Sequence, residues 1–209
     1  MRLAEAGIVG HHSGGVEIFE DNYGGAAFGP KGLEDPHRYF LWRYLTPGSI
    51  LNRDANVCAF GLLNPSTADH RLNDPTVTRC IGYAKRWGYD VLWLFNIFSL
   101  RSTDPKKLYE LDGPNIFAPH SAEGGAINDE VITRVAMSTD LLVCGWGTHG
   151  ALRERGEKVK DLFALRCQHD VQPHVLGLTK EGHPKHPLYL KNDLQPAPWP
   201  RWQYSKETQ

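Results

Sequence analysis

The chain has 209 residues, 41% hydrophobic and 22% charged, which is enough apolar content for one buried core and too little length for a comfortable two-domain protein. Its 23 lysines and arginines stand against 24 aspartates and glutamates, for a net charge of -1. Composition excludes disorder and fibres, and charge excludes a globally basic field, so contact with a polyanion has to come from a local patch. Cys58, Cys80, Cys144 and Cys167 lie far apart, without the spacing of a zinc site or a disulfide framework. No apolar run reaches the ~20 residues that span a bilayer, and residues 1–7 lack the apolar stretch of a signal peptide. A cytoplasmic protein, with no membrane partner, is expected.

In chain order, residues 1–36 read as a loop-rich arm, broken by Gly14-Gly15, Gly24-Gly25 and Gly29-Pro30, with a strand-like stretch only at Val16 to Phe19. Residues 37–209 read as a single α/β domain. It opens with an aromatic, alternating segment from Tyr39 to Leu45, an edge strand or hairpin partner of the arm. Asn56 to Leu63 is a nearly continuous apolar run, as a strand covered on both faces requires. Asp74 before Pro75 supplies an N-cap and a first-turn proline. Val77, Cys80, Ile81, Ala84 and Trp87 follow at helical spacing until Gly88. Further buried strands are expected at Val91–Asn96, Leu141–Trp146 and His174–Leu178, with helices near Ile127–Met137 and Glu154–Leu165. Strand and helix alternating in this way imply a three-layer α/β/α fold around a central four-stranded parallel sheet.

Ligands of open parallel sheets bind beyond the carboxyl ends of the strands. There the chain places Asn64-Pro-Ser-Thr-Ala-Asp69, Asn96-Ile-Phe-Ser99, Gly145-Trp-Gly-Thr-His-Gly150 and Thr179 to Leu188. Asn64-Pro65 reads as the start of a turn at a strand's carboxyl end. Asn96 needs partners if buried. Asp74 reads as a helix cap, and Asp69 as a turn cap or a carboxylate near the reacting centre. Ser66, Thr67, Arg101, Ser102, Thr103, Thr148, Lys180 and Lys185 lie on the same edge, as solvated side chains or as phosphate contacts. Phe98 and Trp146 read as core aromatics or as platforms for a base. The His183-x-x-His186 spacing is that of a loop, not of a helical metal-binding pair, so neither a metal nor a cofactor is expected.

Phe60-Gly-Leu-Leu-Asn-Pro-Ser66, Leu92-Trp-Leu-Phe-Asn96 and Gly182-His-Pro-Lys-His-Pro-Leu188 together resemble the motifs of the uracil-DNA glycosylase superfamily, over roughly Asn56 to Leu190. A closer resemblance, through Asn64-Pro-Ser-Thr-Ala-Asp69, Asp74-Pro75 and His186-Pro-Leu-Tyr189, is to a largely uncharacterised bacterial and phage family similar to a branch of it. The resemblance implies that Asn64 positions the attacking water, that Asn96 reads an extruded base, and that His186 or His183 stabilises the departing base. It also implies a loop that wedges the duplex, for which Leu188 with Tyr189 is the candidate; Asp69 and Asp74, the carboxylates close to the first motif, are the candidates to activate the water or stabilise the cationic sugar. Where uracil-specific members carry a bulky aromatic, Ser66 leaves room for a 5-substituent.

The implied protein is a monomeric, monofunctional DNA glycosylase. Its substrate would be a modified base in double-stranded DNA, such as glucosylated hydroxymethylcytosine, with a role in defence against phages. A nucleotide or nucleoside hydrolase or transferase on the same scaffold, and a non-catalytic binder of DNA or protein, are the alternatives.

Overall fold

The computed structural model describes residues 16–29, 37–49, 54–110, 126–166 and 172–200. In chain order its elements are β1 (Glu17–Asp21), β2 (Gly24–Phe28), β3 (Arg38–Tyr44), β4 (Val57–Leu62), α1 (Pro75–Arg86), β5 (Val91–Asn96), the short α2 (Lys107–Glu110), α3 (Ala126–Ser138), β6 (Leu141–Cys144), α4 (Arg155–Arg166), β7 (Pro173–Val175) and β8 (Ala197–Pro198). Two 3-10 segments, Thr148–Glu154 and Pro187–Tyr189, lie in the loops after β6 and β7.

Every residue of β4 and β5 is buried. Strands with no polar alternation have to be covered on both faces. On one face Cys58, Phe60, Leu92 and Leu94 share a cluster with Val77, Cys80, Tyr83 and Ala84 of α1. On the other, Val57, Ala59, Trp93 and Phe95 cluster with Ile132 and Val135 of α3 and with Val159 and Phe163 of α4. Helices thus cover both faces, as the apolar runs imply. Helix α1 starts as the sequence dictates: Asp74 accepts the Val77 N–H at 2.8 Å, Pro75 follows, and Gly88 at φ +83° turns the chain out.

The sheet differs from the expected four parallel strands. It has eight, in the order β1-β2-β3-β5-β4-β6-β7-β8. The four expected strands β5, β4, β6 and β7 form its parallel centre. Antiparallel β1-β2-β3 extend one side, and β8 closes the other. Strand β2, Gly-Gly-Ala-Ala-Phe, carries almost no side-chain pattern for a reason that only packing reveals. A Cβ on Gly25 would sit 2.2 Å from the Trp42 ring of the neighbouring strand. Part of the loop-rich arm is therefore a hairpin of the same sheet.

Strands β6 and β7 are shorter than the apolar runs that announce them. Gly145 still donates to the Gly61 carbonyl at 2.8 Å, but Gly147, at φ +71°, turns the chain and donates to Pro184 instead. Among the described residues, no helix is long and apolar enough to cross a membrane.

Candidate functional site

The loop after β4 is held in an unusual way: guanidinium groups reach its carbonyls. Arg101 donates to Ser66, Thr67 and Ala68, through Nε at 3.2 Å and Nη2 at 3.3 and 3.5 Å. Arg38 donates from Nη1 to Ala68 at 2.8 Å. Arg43 donates to Asp69 at 2.5 Å and Leu72 at 3.3 Å, and to the Asn73 side chain at 2.8 Å. Arg38 and Arg43 project from β3, so the antiparallel flank positions a loop of the parallel centre. Burial pushes Arg38 down to about 9, against the pull of Asp74 and with Arg101 and Arg43 adding like charge; it remains a cation at neutral pH. Burial lowers Arg43 too, opposed by Asp69, Asp21 and Asp74.

Two asparagines face this loop with opposite chemistry. Half-buried Asn64 donates its amide N–H groups to the Pro65 and Ser102 carbonyls at 3.1 and 2.9 Å. Its Oδ1, a hydrogen-bond acceptor, has no partner among the described residues. Asn96, 3% exposed at the end of β5, is the reverse: its Oδ1 accepts from Arg38 Nη2 at 3.4 Å, and its Nδ2 donor has no partner among the described residues. The main chain of Asn96 is fixed from the far face. Asn128 donates to the carbonyls of Asn96 and Ile97 at 3.0 and 3.2 Å, and Arg155, paired with Asp129, donates to Ile97 at 2.7 Å.

The structure separates the two histidines. His183 lines a cleft of about 390 Å³ with Glu157, Lys160, Lys180 and Trp199. His186 belongs to the other group: Asp74 acts on it electrostatically, and its Cβ is near Gly147. Gly145 lies between Leu62, the register partner of Asn96, and Pro187, so the His-Pro-Leu segment closes against the end of β4. The Leu188 N–H donates to His186 Nδ1 at 3.4 Å, which leaves Nε2 to carry the proton of the neutral ring. Burial pushes the imidazole down to about 4, with Asp74 pulling weakly the other way, so the ring is neutral at pH 7.

Of the remaining expected residues, several serve the fold. Phe98 is fully buried in the core and Trp146, 1% exposed, packs edge-to-face on Trp199, so neither ring presents a face to a ligand. Asp74 is the helix cap. Asp69 Oδ1 closes a turn onto the N–H groups of Arg71 and Leu72. Partial burial favours the protonated Asp69, but those two N–H groups outweigh it and hold the carboxyl below its ordinary value. Arg101 is engaged with the loop, and Ser102 bonds Asp104 through its hydroxyl and Asn64 through its carbonyl. Ser66 is half-buried, Thr67, Lys180 and Lys185 are exposed, and Leu188 lines a cleft of about 520 Å³ along α1 with Arg79 and Arg86.

Sequence reasoning missed Arg38, Arg43, Asn128 and Arg155. The one signal was an arginine inside the aromatic run of β3, since a buried cation has to find acceptors. Among the described residues, no three His, Cys, Asp or Glu side chains gather as metal ligands do.

A family model described as protein of unknown function (DUF1643) matches residues 38–188. No curated protein and no solved structure matches the chain.

Proposed function

The chain belongs to that family of unknown function, and from this premise we propose that it is a monofunctional DNA glycosylase that hydrolyses the N-glycosidic bond of a modified base. The observation that carries the reading is the complementary pair of asparagines at the ends of adjacent strands: Asn64 with an open acceptor, and Asn96, a residue only 3% exposed, with an open donor. Cleavage of a nucleoside passes through an oxocarbenium-like sugar, which needs a placed water more than a strong base. Asn64 Oδ1 accepts a hydrogen bond from that water and so orients its oxygen. Asn96 Nδ2 donates to an acceptor on the base edge, as expected for an extruded base.

The leaving base departs with negative charge on its ring. His186, neutral with its proton on Nε2, donates there as the charge develops, a contribution of the order of 10²–10³ in rate for one such donor. Small, half-buried Ser66 leaves space beside the base, so the assigned substrate is a 5-substituted cytosine or uracil in duplex DNA, with glucosylated hydroxymethylcytosine the bulkiest candidate. Enzymatic removal of such bases suits defence against phages with modified DNA. Of the two residues of the wedge, Leu188 is half-buried and Tyr189 is 83% exposed, so Tyr189 is the one that enters the stack.

The test is the appearance of abasic sites in 5-substituted duplex DNA, read as strand breaks after alkali. Wild-type protein should produce them, unmodified DNA should not yield them, and Asn64→Ala should fall by about 10²-fold or more. No abasic sites on any modified duplex would end the reading.

A further inference from the structure

The carbonyls of the loop after β4 are turned to one side, and the planar trans peptide then fixes where its N–H groups point. In each unit the C=O of one residue and the N–H of the next are antiparallel. The Pro65 carbonyl accepts from the Ser102 N–H at 2.8 Å and from Asn64, so the Ser66 N–H points the opposite way. The Ser66 and Thr67 carbonyls accept from Arg101, so the N–H groups of Thr67 and Ala68 also point away from that guanidinium. None of the three has an acceptor among the described residues. Neither hydroxyl of Ser66 or Thr67 has a partner there either.

Buried or half-buried backbone N–H groups left unpaired are rare in folded proteins. Here three N–H groups in succession, those of half-buried Ser66, exposed Thr67 and buried Ala68, find no acceptor among the described residues, on one short turn at the carboxyl edge of the parallel strands. Behind them stand the charges of Arg101, Arg38 and Arg43, which align the peptide dipoles with their positive ends outward. Thr67 is exposed and Ser66 half-buried, so both are within reach of a ligand; Ala68 is fully buried and adds only its dipole from beneath. The carboxylate nearest in sequence, Asp69, is turned onto the N–H groups of Arg71 and Leu72.

We propose that the Ser66-Thr67 turn is a phosphate-binding site, built from main-chain N–H groups and two hydroxyls and held in donor-out orientation by Arg101. Two N–H and two O–H donors on adjacent residues suit the several oxygens of a tetrahedral anion better than the two of a planar carboxylate. The phosphate is either one of a nucleic-acid backbone beside the base or that of a free nucleotide. The site stands whether or not a glycosidic bond is cleaved next to it.

The experiment follows the amide resonances of the whole chain by nitrogen–proton correlation spectra during titration with inorganic phosphate. Saturable movement of the Ser66, Thr67 and Ala68 amides is expected. Thr67→Pro deletes one donor and should weaken phosphate about tenfold or more, Arg101→Gln about tenfold, and Ser66→Ala about threefold. Saturation without movement of these amides, or no saturation at all, overturns the proposal, and this readout on wild-type protein decides even if Thr67→Pro fails to fold. Competition identifies the source. Displacement of phosphate by a duplex containing an abasic site assigns a nucleic-acid backbone. Displacement by a nucleoside monophosphate and not by the duplex upholds the site while overturning the glycosylase reading.

Discussion

The loop that follows β4 is held by charge, with Arg38, Arg43 and Arg101 on the carbonyls of Ser66, Thr67, Ala68, Asp69 and Leu72. The segment that follows β7 is held by shape, with Pro187 against Gly145 and main-chain bonds such as Gly147 N–H to Pro184. The two meet at one edge of the sheet and orient the asparagines and the histidine in different ways. On the first side, long side chains from the antiparallel flank fix polar groups by direction. On the second, a missing Cβ fixes the backbone by contact. Each side should therefore fail in its own manner.

The largest effect is expected on the charged side. Arg43→Met strips donors from Asp69, Leu72 and Asn73 at once and should lower stability by about 3–5 kcal/mol in urea unfolding. Arg43→Lys should recover little of it, because an ammonium lacks the planar fork that spans those acceptors. Full recovery by lysine would mean that charge alone, without geometry, holds the loop. On the packed side, Gly145→Ala places a Cβ 2.9 Å from Pro187 Cδ and should cost about 1–3 kcal/mol. It should also slow base release by about tenfold or more, since it shifts His186. A variant with unchanged rate would detach His186 from the chemistry.

A difference that depends on pH separates the sides in acid. The folded-state pKa of His186, at about 4, lies below its ordinary value of 6.5. Between those values the unfolded chain binds the extra proton and the folded one does not. Stability from this group is therefore complete above pH 6.5 and is lost as pH falls toward 4, by at most ~1.4 kcal/mol per pH unit. Wild type should show this slope, and His186→Gln should lack that share of it. The smallest effect concerns the core between the two sides. Burial raises the thiols of Cys58, Cys80 and Cys144, so iodoacetamide should label these three in urea and leave them unmodified in the native protein. Native labelling at any of them would show an opening that the structure does not contain.

The parallel centre was legible in the sequence because its strands are short apolar runs and α1 carries its cap, proline and terminal glycine as local signals. The flank was not. Strand β2 opens on two glycines because Trp42, through its carbonyl at Gly24 and its ring at Gly25, fills the space their side chains would take, a fact that belongs to the neighbouring strand. That Asn64 and Asn96 lie at the polar ends of neighbouring strands, where the candidate site is placed, was legible. The direction of their amides was not, since it depends on Ser102 and on Arg38, which is 58 residues from Asn96. Phe98 and Trp146 mislead for a related reason: an aromatic just past a strand end has the same local sequence whether it faces a ligand or, as here, the core.

The central claim is tested most directly by identifying what leaves the DNA. Wild-type protein incubated with a duplex carrying glucosylated hydroxymethylcytosine should release the intact modified base without its deoxyribose, detected by mass spectrometry, while the strand stays unbroken until alkali is added. Release of a nucleoside or nucleotide, or base release that Asn64→Ala leaves undiminished, would contradict the account.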